Sequence, residues 1–145
     1  MISQFQIRLP LFETAVRELS SGEIPVEELN TAGTGPLRAV CWFDGERPEA
    51  FEAALAGDHT VTDVIKIAET SRGHQYNVTC DQHSPGETMY AALIEEDGVF
   101  VSGTRTAEHW SVQVRFPDDD AVMAFRDRIE RSDIALESVR RHDID

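Results

Sequence analysis

The chain has 145 residues, enough for one compact domain or two small ones that share an interface. Its 27 acidic residues against 13 basic ones give a net charge of −14, and Lys66 is the sole lysine. A surface this acidic repels phosphate and makes the segment by itself a poor match for nucleic acid; with lysine almost eliminated, it fits a salt-loaded cytoplasm where concentrated ions screen self-repulsion.

The periodicity alternates along the chain between two and about 3.6. Phe5, Ile7 and Leu9 alternate with Gln4, Gln6 and Arg8, which predicts a strand with one apolar face. Pro10 then opens a short helix through Leu11, Phe12, Ala15, Val16 and Leu19, stopped at Ser20-Ser21-Gly22. A second strand covers Ile24 to Asn30, and Thr31 to Pro36 is a turn cluster. Leu37, Ala39, Cys41 and Phe43 mark a third strand. Pro48 opens the helix of Ala50, Phe51, Ala54 and Leu55, and Val61 to Ile67 forms a fourth strand.

The second half repeats the plan, with strands at Gln75–Cys80, Val99–Thr106, Trp110–Phe116 and Ile134–Arg140, and helices at Glu87–Glu95 and Asp119–Glu130. The copies are visible in the residues: Phe43 and Phe116 lie 73 positions apart, and Phe5 and Tyr76 lie 71 apart. A fixed internal period points to duplicated units. Each half reads strand-helix-strand-strand-helix-strand, whose simplest closure is an α+β ferredoxin-like plait. The expectation is two tandem plaits, residues 1–70 and 73–145, with eight strands and four helices. Thr70-Ser71-Arg72-Gly73 between them is too short for a flexible linker, so the modules should be packed together. Phe5, Leu9, Cys41, Phe43, Tyr76, Val78, Val112 and Phe116 should face inward.

Residues 1–20 contain no signal-peptide core and no apolar run approaches the ~20 residues of a membrane span, so a cytoplasmic location is expected. Cys41 and Cys80 lack CxxC partners and read as reduced thiols.

The search for chemistry is mostly negative, since GxxxxGK[ST], GxSxG and HExxH motifs are all absent. Asn77-Val78-Thr79 reads as part of a strand rather than a glycan acceptor. Asp118-Asp119-Asp120 reads as a helix N-terminus rather than a cation site. Cys80 and His83, with His74 and His109 starting two strands that would be neighbours in the second plait, are candidate ligands for a metal or haem iron. Against that, Cys80 falls on the apolar side of its strand, and the second pair of a structural zinc site is missing. The strand faces turned away from the helices carry uncharged polar residues in an otherwise acidic chain. Arg8, Trp42, Gln75, Asn77, Gln113 and Arg115 on them are the candidate ligand-binding residues, with the two faces packing on each other, on a second subunit, or around a small polar or anionic ligand.

Two segments, Pro48-Glu49-Ala50-Phe51-Glu52-Ala53-Ala54-Leu55 and Trp110-Ser111-Val112-Gln113-Val114-Arg115-Phe116-Pro117-Asp118, give the chain its likeness to a known group. It resembles the haloarchaeal bacterio-opsin-activator family of transcriptional regulators over nearly its whole length. The resemblance implies a non-catalytic sensor or assembly region, with DNA bound only through a helix-turn-helix expected beyond Asp145. A homodimer, a small-molecule effector and no resident cofactor complete this expectation. A stand-alone metal- or haem-binding sensor using Cys80, His83, His74 and His109 is the alternative.

The charge makes a direct prediction. Lowering potassium chloride from molar to millimolar should lower the melting temperature as repulsion among the acids is unscreened. An unchanged melting temperature would remove the halophilic reading.

Overall fold

Alternating burial builds the first strand: Phe5 and Ile7 are fully buried while Gln4 and Gln6 keep partial exposure. The same pattern recurs through a computed structural model that describes residues 2–19, 22–31, 35–82 and 84–142, and side chains up to Glu137. The elements are β1 (Ile2–Arg8), α1 (Glu13–Arg17), β2 (Glu23–Thr31), β3 (Leu37–Phe43), α2 (Pro48–Ala56) and β4 (Val61–Thr70). There follow β5 (Gly73–Cys80), α3 (Pro85–Glu95), β6 (Val99–Thr106), β7 (Trp110–Arg115), α4 (Asp119–Arg131) and β8 (Ala135–His142). The fold is thus α+β, with the eight strands and four helices expected from the alternation. The expected stop at Ser20-Ser21 and the centre of the turn after Thr31 lie outside the described residues.

The first helix is shorter than its apolar spacing predicts. Phe12 takes a left-handed conformation (φ 60°), so residues 10–12 turn before α1 begins. Tertiary hydrogen bonds hold that turn. Thr60 Oγ1 accepts the Phe12 N–H at 3.1 Å, and Asp58 Oδ2 accepts the Ala15 N–H at 2.9 Å. Asp58 Oδ1 in turn accepts from the backbone and hydroxyl of Thr60. A buried carboxylate from the loop after α2 therefore does for α1 what an N-cap residue usually does locally. By contrast, α4 is capped in sequence, Asp118 accepting the Ala121 N–H at 2.8 Å, as its acidic start predicts.

All eight strands form one antiparallel sheet in the order β4-β5-β3-β2-β6-β7-β1-β8. In a plait the first and third strands are central, and each half of this sheet keeps that pattern with one exchange. β5, the leading strand of the second repeat, lies between β4 and β3; β1, the leading strand of the first, lies between β7 and β8. The two half-sheets join through β2 and β6, where Glu23 to Val26 pair with Thr106 to Gly103.

Aromatic packing follows the exchange. Phe43 stacks on Phe51 at 4.8 Å, and Phe51 meets Tyr76 of β5 at 5.2 Å. In the other half Phe116 and Phe125 (5.4 Å) close on Phe5 of β1, which lies 5.0 Å from Phe125. Phe43 and Phe116 thus stand in two like clusters, one completed by Tyr76 of β5 and the other by Phe5 of β1. The helices cover one face of the sheet, above a single core cluster. Of the residues expected inward, all are buried except Phe43, which packs against the core while partly exposed.

The exchange has a local cause. Thr70 pairs with Gly73, so only Ser71 and Arg72 separate β4 from β5. A two-residue connection makes a hairpin, which forces β5 against β4 and occupies the place where β1 of the same repeat would sit. Gly73 has φ +121°, and a Cβ there would lie 2.4 Å from the Phe43 carbonyl oxygen. Gly73→Ala should therefore cost about 2–3 kcal/mol from backbone strain and collision, read as a lower urea midpoint with unchanged far-UV dichroism in buffer. An unaltered midpoint would mean that this turn does not hold the hairpin.

Candidate functional site

The sheet face away from the helices is one surface rather than two opposed ones, because the half-sheets lie side by side. The expected packing of one polar face on the other, or a pocket between them, is therefore replaced by a single open face. Across it run matched rows, among them Gln4–Gln113–Ser102 and Glu28–Val40–Asn77–Ile65.

The six candidate ligand residues divide between the halves. Trp42, Gln75 and Asn77 share the β3–β5 pair; Arg8, Gln113 and Arg115 lie on β1 and β7. Four strand spacings of about 4.8 Å set Asn77 roughly 19 Å from Gln113, so the six do not line one pocket.

Trp42 is the best-organised of them. A register shift in β2 between Val26 and Glu28 leaves Glu27 out of the regular pairing. Its Oε2 accepts from Trp42 Nε1 at 3.1 Å and from Gln75 Nε2 at 2.6 Å. The Arg72 guanidinium lies 4.5 Å from the centre of the Trp42 ring, with Nη1 3.8 Å from Glu27. This explains why an outward-facing Trp42 is only 9 % exposed. Asn77, between Val40 and Ile65, has its Oδ1 buried without a hydrogen-bond partner.

On the other half, Arg8 pairs with Glu137, whose second oxygen lies 3.6 Å from His109 Nδ1. Gln4 donates to Ser111 at 3.1 Å, Ser102 donates to Gln113 at 3.4 Å, and Arg115 is exposed at the end of β7.

The candidate metal ligands are not gathered. His74 is on β5 beside Glu69 and His109 precedes β7, so β3, β2 and β6 lie between the strands they start; the expectation that these strands are neighbours fails because β5 is exchanged. Among the described residues no group of three His, Cys, Asp or Glu side chains is placed to hold a metal, and His83 lies outside them.

Cys80 and Cys41 are both fully buried on the helix side of the sheet. Burial first, then the neighbouring Cys80, pushes the Cys41 thiol up to about 12. Burial, then Glu87 and Asp58, does the same for Cys80, to about 12. Buried and with raised pKa values, both are poor nucleophiles. A thiol-reactive disulfide reagent at pH 8 should modify neither cysteine in the folded chain and both in denaturant; labelling of the native protein would contradict their burial.

The sequence reading missed Glu27, Arg72 and Arg105. The first lies in a strand irregularity and the second in a turn, and no periodicity marks either. Alternation did carry a signal for Arg105, which shares the core side of β6 with Gly103 and is 2 % exposed.

No described helix is long and apolar enough to cross a membrane. Neither the curated proteins nor the solved structures contain a match to this chain. The family model described as "BAT: GAF and HTH_10 associated domain" matches residues 5–145, which takes in both half-sheets and their seam. The chain therefore belongs to the BAT family of GAF- and HTH_10-associated domains.

Proposed function

We propose that this chain is a non-catalytic sensor and assembly domain of a haloarchaeal transcription regulator, working in the cytoplasm as a homodimer. The observation that carries the reading is the family match over residues 5–145, in a family named for its association with GAF and helix-turn-helix domains. DNA is contacted by the helix-turn-helix, and this domain sets how those readers are spaced.

The fold offers a means. The repeating units are residues 1–70 and 73–145 with their leading strands exchanged, so neither half-sheet moves without pulling on a strand of the other. The seam between the halves is short, four residue pairs of β2 and β6. An effector that shifts one half against the other at this seam would reshape the surface that the domain offers to a second copy. Such coupling requires that the effector bind the two arrangements with different affinity.

The charge distribution supports the division of labour. Arg17 pairs with Glu13, Arg72 with Glu27, Arg126 with Glu130, and Arg128 approaches Glu95 and Glu96. Arginines held in this way offer little to phosphate, and phosphate contacts supply most non-specific affinity for DNA. In a gel-shift titration, residues 1–145 should leave duplex DNA unbound at micromolar protein. Sequence-selective binding by these residues alone would overturn the reading.

A further inference from the structure

We propose that Lys66 guards the free edge of the sheet, keeping β4 from adding to β4 of a second copy and leaving self-association to other surfaces of the domain.

The hairpin that seats β5 inside β4 leaves β4 outermost, with β5 on one side only. Among the described residues no strand pairs with the outer side of this ten-residue strand. An edge of that length is a template for another chain. Its side chains add to the hazard, since Ile65 and Ile67 are 53 % and 49 % exposed. Antiparallel addition of a second β4 would satisfy the backbone, cover the isoleucines and close on a two-fold axis.

Between those isoleucines stands Lys66, the sole lysine in the chain. It is in register with Tyr76, which is fully buried on the helix side of the sheet. Lys66 therefore belongs to the helix side of its own strand. Its side chain is nevertheless 37 % exposed, with Nζ 3.6 Å from Oε2 of the exposed Glu69. At an edge position, such an ammonium keeps its water only while the neighbouring space is empty. An added strand would take that water away, and an exposed ion pair offsets little of the loss. Lysine suits the task better than arginine because an ammonium is the more strongly hydrated of the two charges.

Geometry removes the register that would compensate. Two copies joined through β4 in antiparallel fashion keep their helices on the same side, so only residues of like face stand opposite each other. Asp63 is in register with Thr79, on the open face, and cannot oppose Lys66 of the second copy. Every register that sets isoleucine against isoleucine places the two lysines opposite or diagonal, about 5–8 Å apart at Cβ. Register shifts between Val61 and Asp63 and between Lys66 and Ala68 also break the edge into short runs.

The test compares residues 1–145 with the Lys66→Thr, Lys66→Gln and Lys66→Arg variants by sedimentation over a concentration series at one fixed salt. Amide hydrogen exchange of residues 61–70 is read at low and high protein concentration. In the unsubstituted chain, exchange over 61–70 should be independent of concentration, whatever dimer other surfaces form. Lys66→Thr and Lys66→Gln should each strengthen association about tenfold by removing two apposed charges, and association should slow exchange over 61–70. Both variants leave 12 bases against 27 acids, a net charge of −15 that by itself opposes association. Lys66→Arg keeps the charge on a less hydrated head and should associate less than either neutral variant.

Should one neutral variant fail to fold, the other decides. Unchanged association in the neutral variants, equal association by Lys66→Arg, or association without protection of 61–70 would each overturn the assignment. So would concentration-dependent protection of 61–70 in the unsubstituted chain. The inference goes beyond the regulatory reading and fails separately from it: a homodimer built through β4 sinks the guard alone, and one built elsewhere leaves both standing.

Discussion

The short turn at Ser71-Arg72, closed by Gly73, governs the arrangement of everything else in this molecule. Two residues cannot carry a chain across a sheet, so β5 must run back along β4. Once β5 occupies that position, the first strand of the chain has no place in its own half-sheet. It finds the equivalent place in the other half, between β7 and β8, where Phe5 is in register with Val112 and Val139. Neither half-sheet is then complete without a strand from the other repeat, and the shared boundary of the halves is a continuous sheet. Gly73 makes this possible because β3 ends directly above the turn and leaves no room for a side chain.

Packing energy reinforces the exchange. Each half contains an aromatic cluster of three, and aromatic pairs contribute about 0.5–1.5 kcal/mol beyond the area they bury. Tyr76 differs from its counterpart Phe5 in carrying a hydroxyl, which donates to Glu52 Oε2 at 2.9 Å on α2. The two leading strands are therefore similar enough to exchange and different enough to be distinguished, since the Glu52 carboxylate requires a donor that Phe5 lacks. The core that results is one cluster under four helices. On the open side the sheet is polar and half-buried, with long side chains lying over one another, as Arg72 does over Trp42.

Charge and function meet at a few points where opposite charges are kept close in an acidic chain. Arg8, Arg17, Arg72, Arg126 and Arg128 are held by nearby glutamates, which makes them less available for phosphate recognition. Arg105 is held differently, by the Leu11 and Thr106 carbonyls in the interior. It also connects β6 to the turn before α1.

The sequence alone was enough to determine the order of the strands and helices. Period-two alternation and the paired Phe43/Phe116 motifs reflect burial on one face, a local property readable residue by residue. The likeness to the bacterio-opsin-activator group rested on the same segments, and the family match bears it out. Tertiary structure decided which strand completes which half, because hairpin geometry between repeats outcompetes pairing within a repeat and leaves the hydrophobic pattern unchanged. It also decided the fate of the candidate site residues. Trp42 and Gln75 meet through Glu27, a residue marked only by a strand irregularity, while His74 and His109 are separated by the strands that the exchange inserts between them. Proximity across a sheet depends on strand order, and strand order is a property of the whole chain that no window of residues contains.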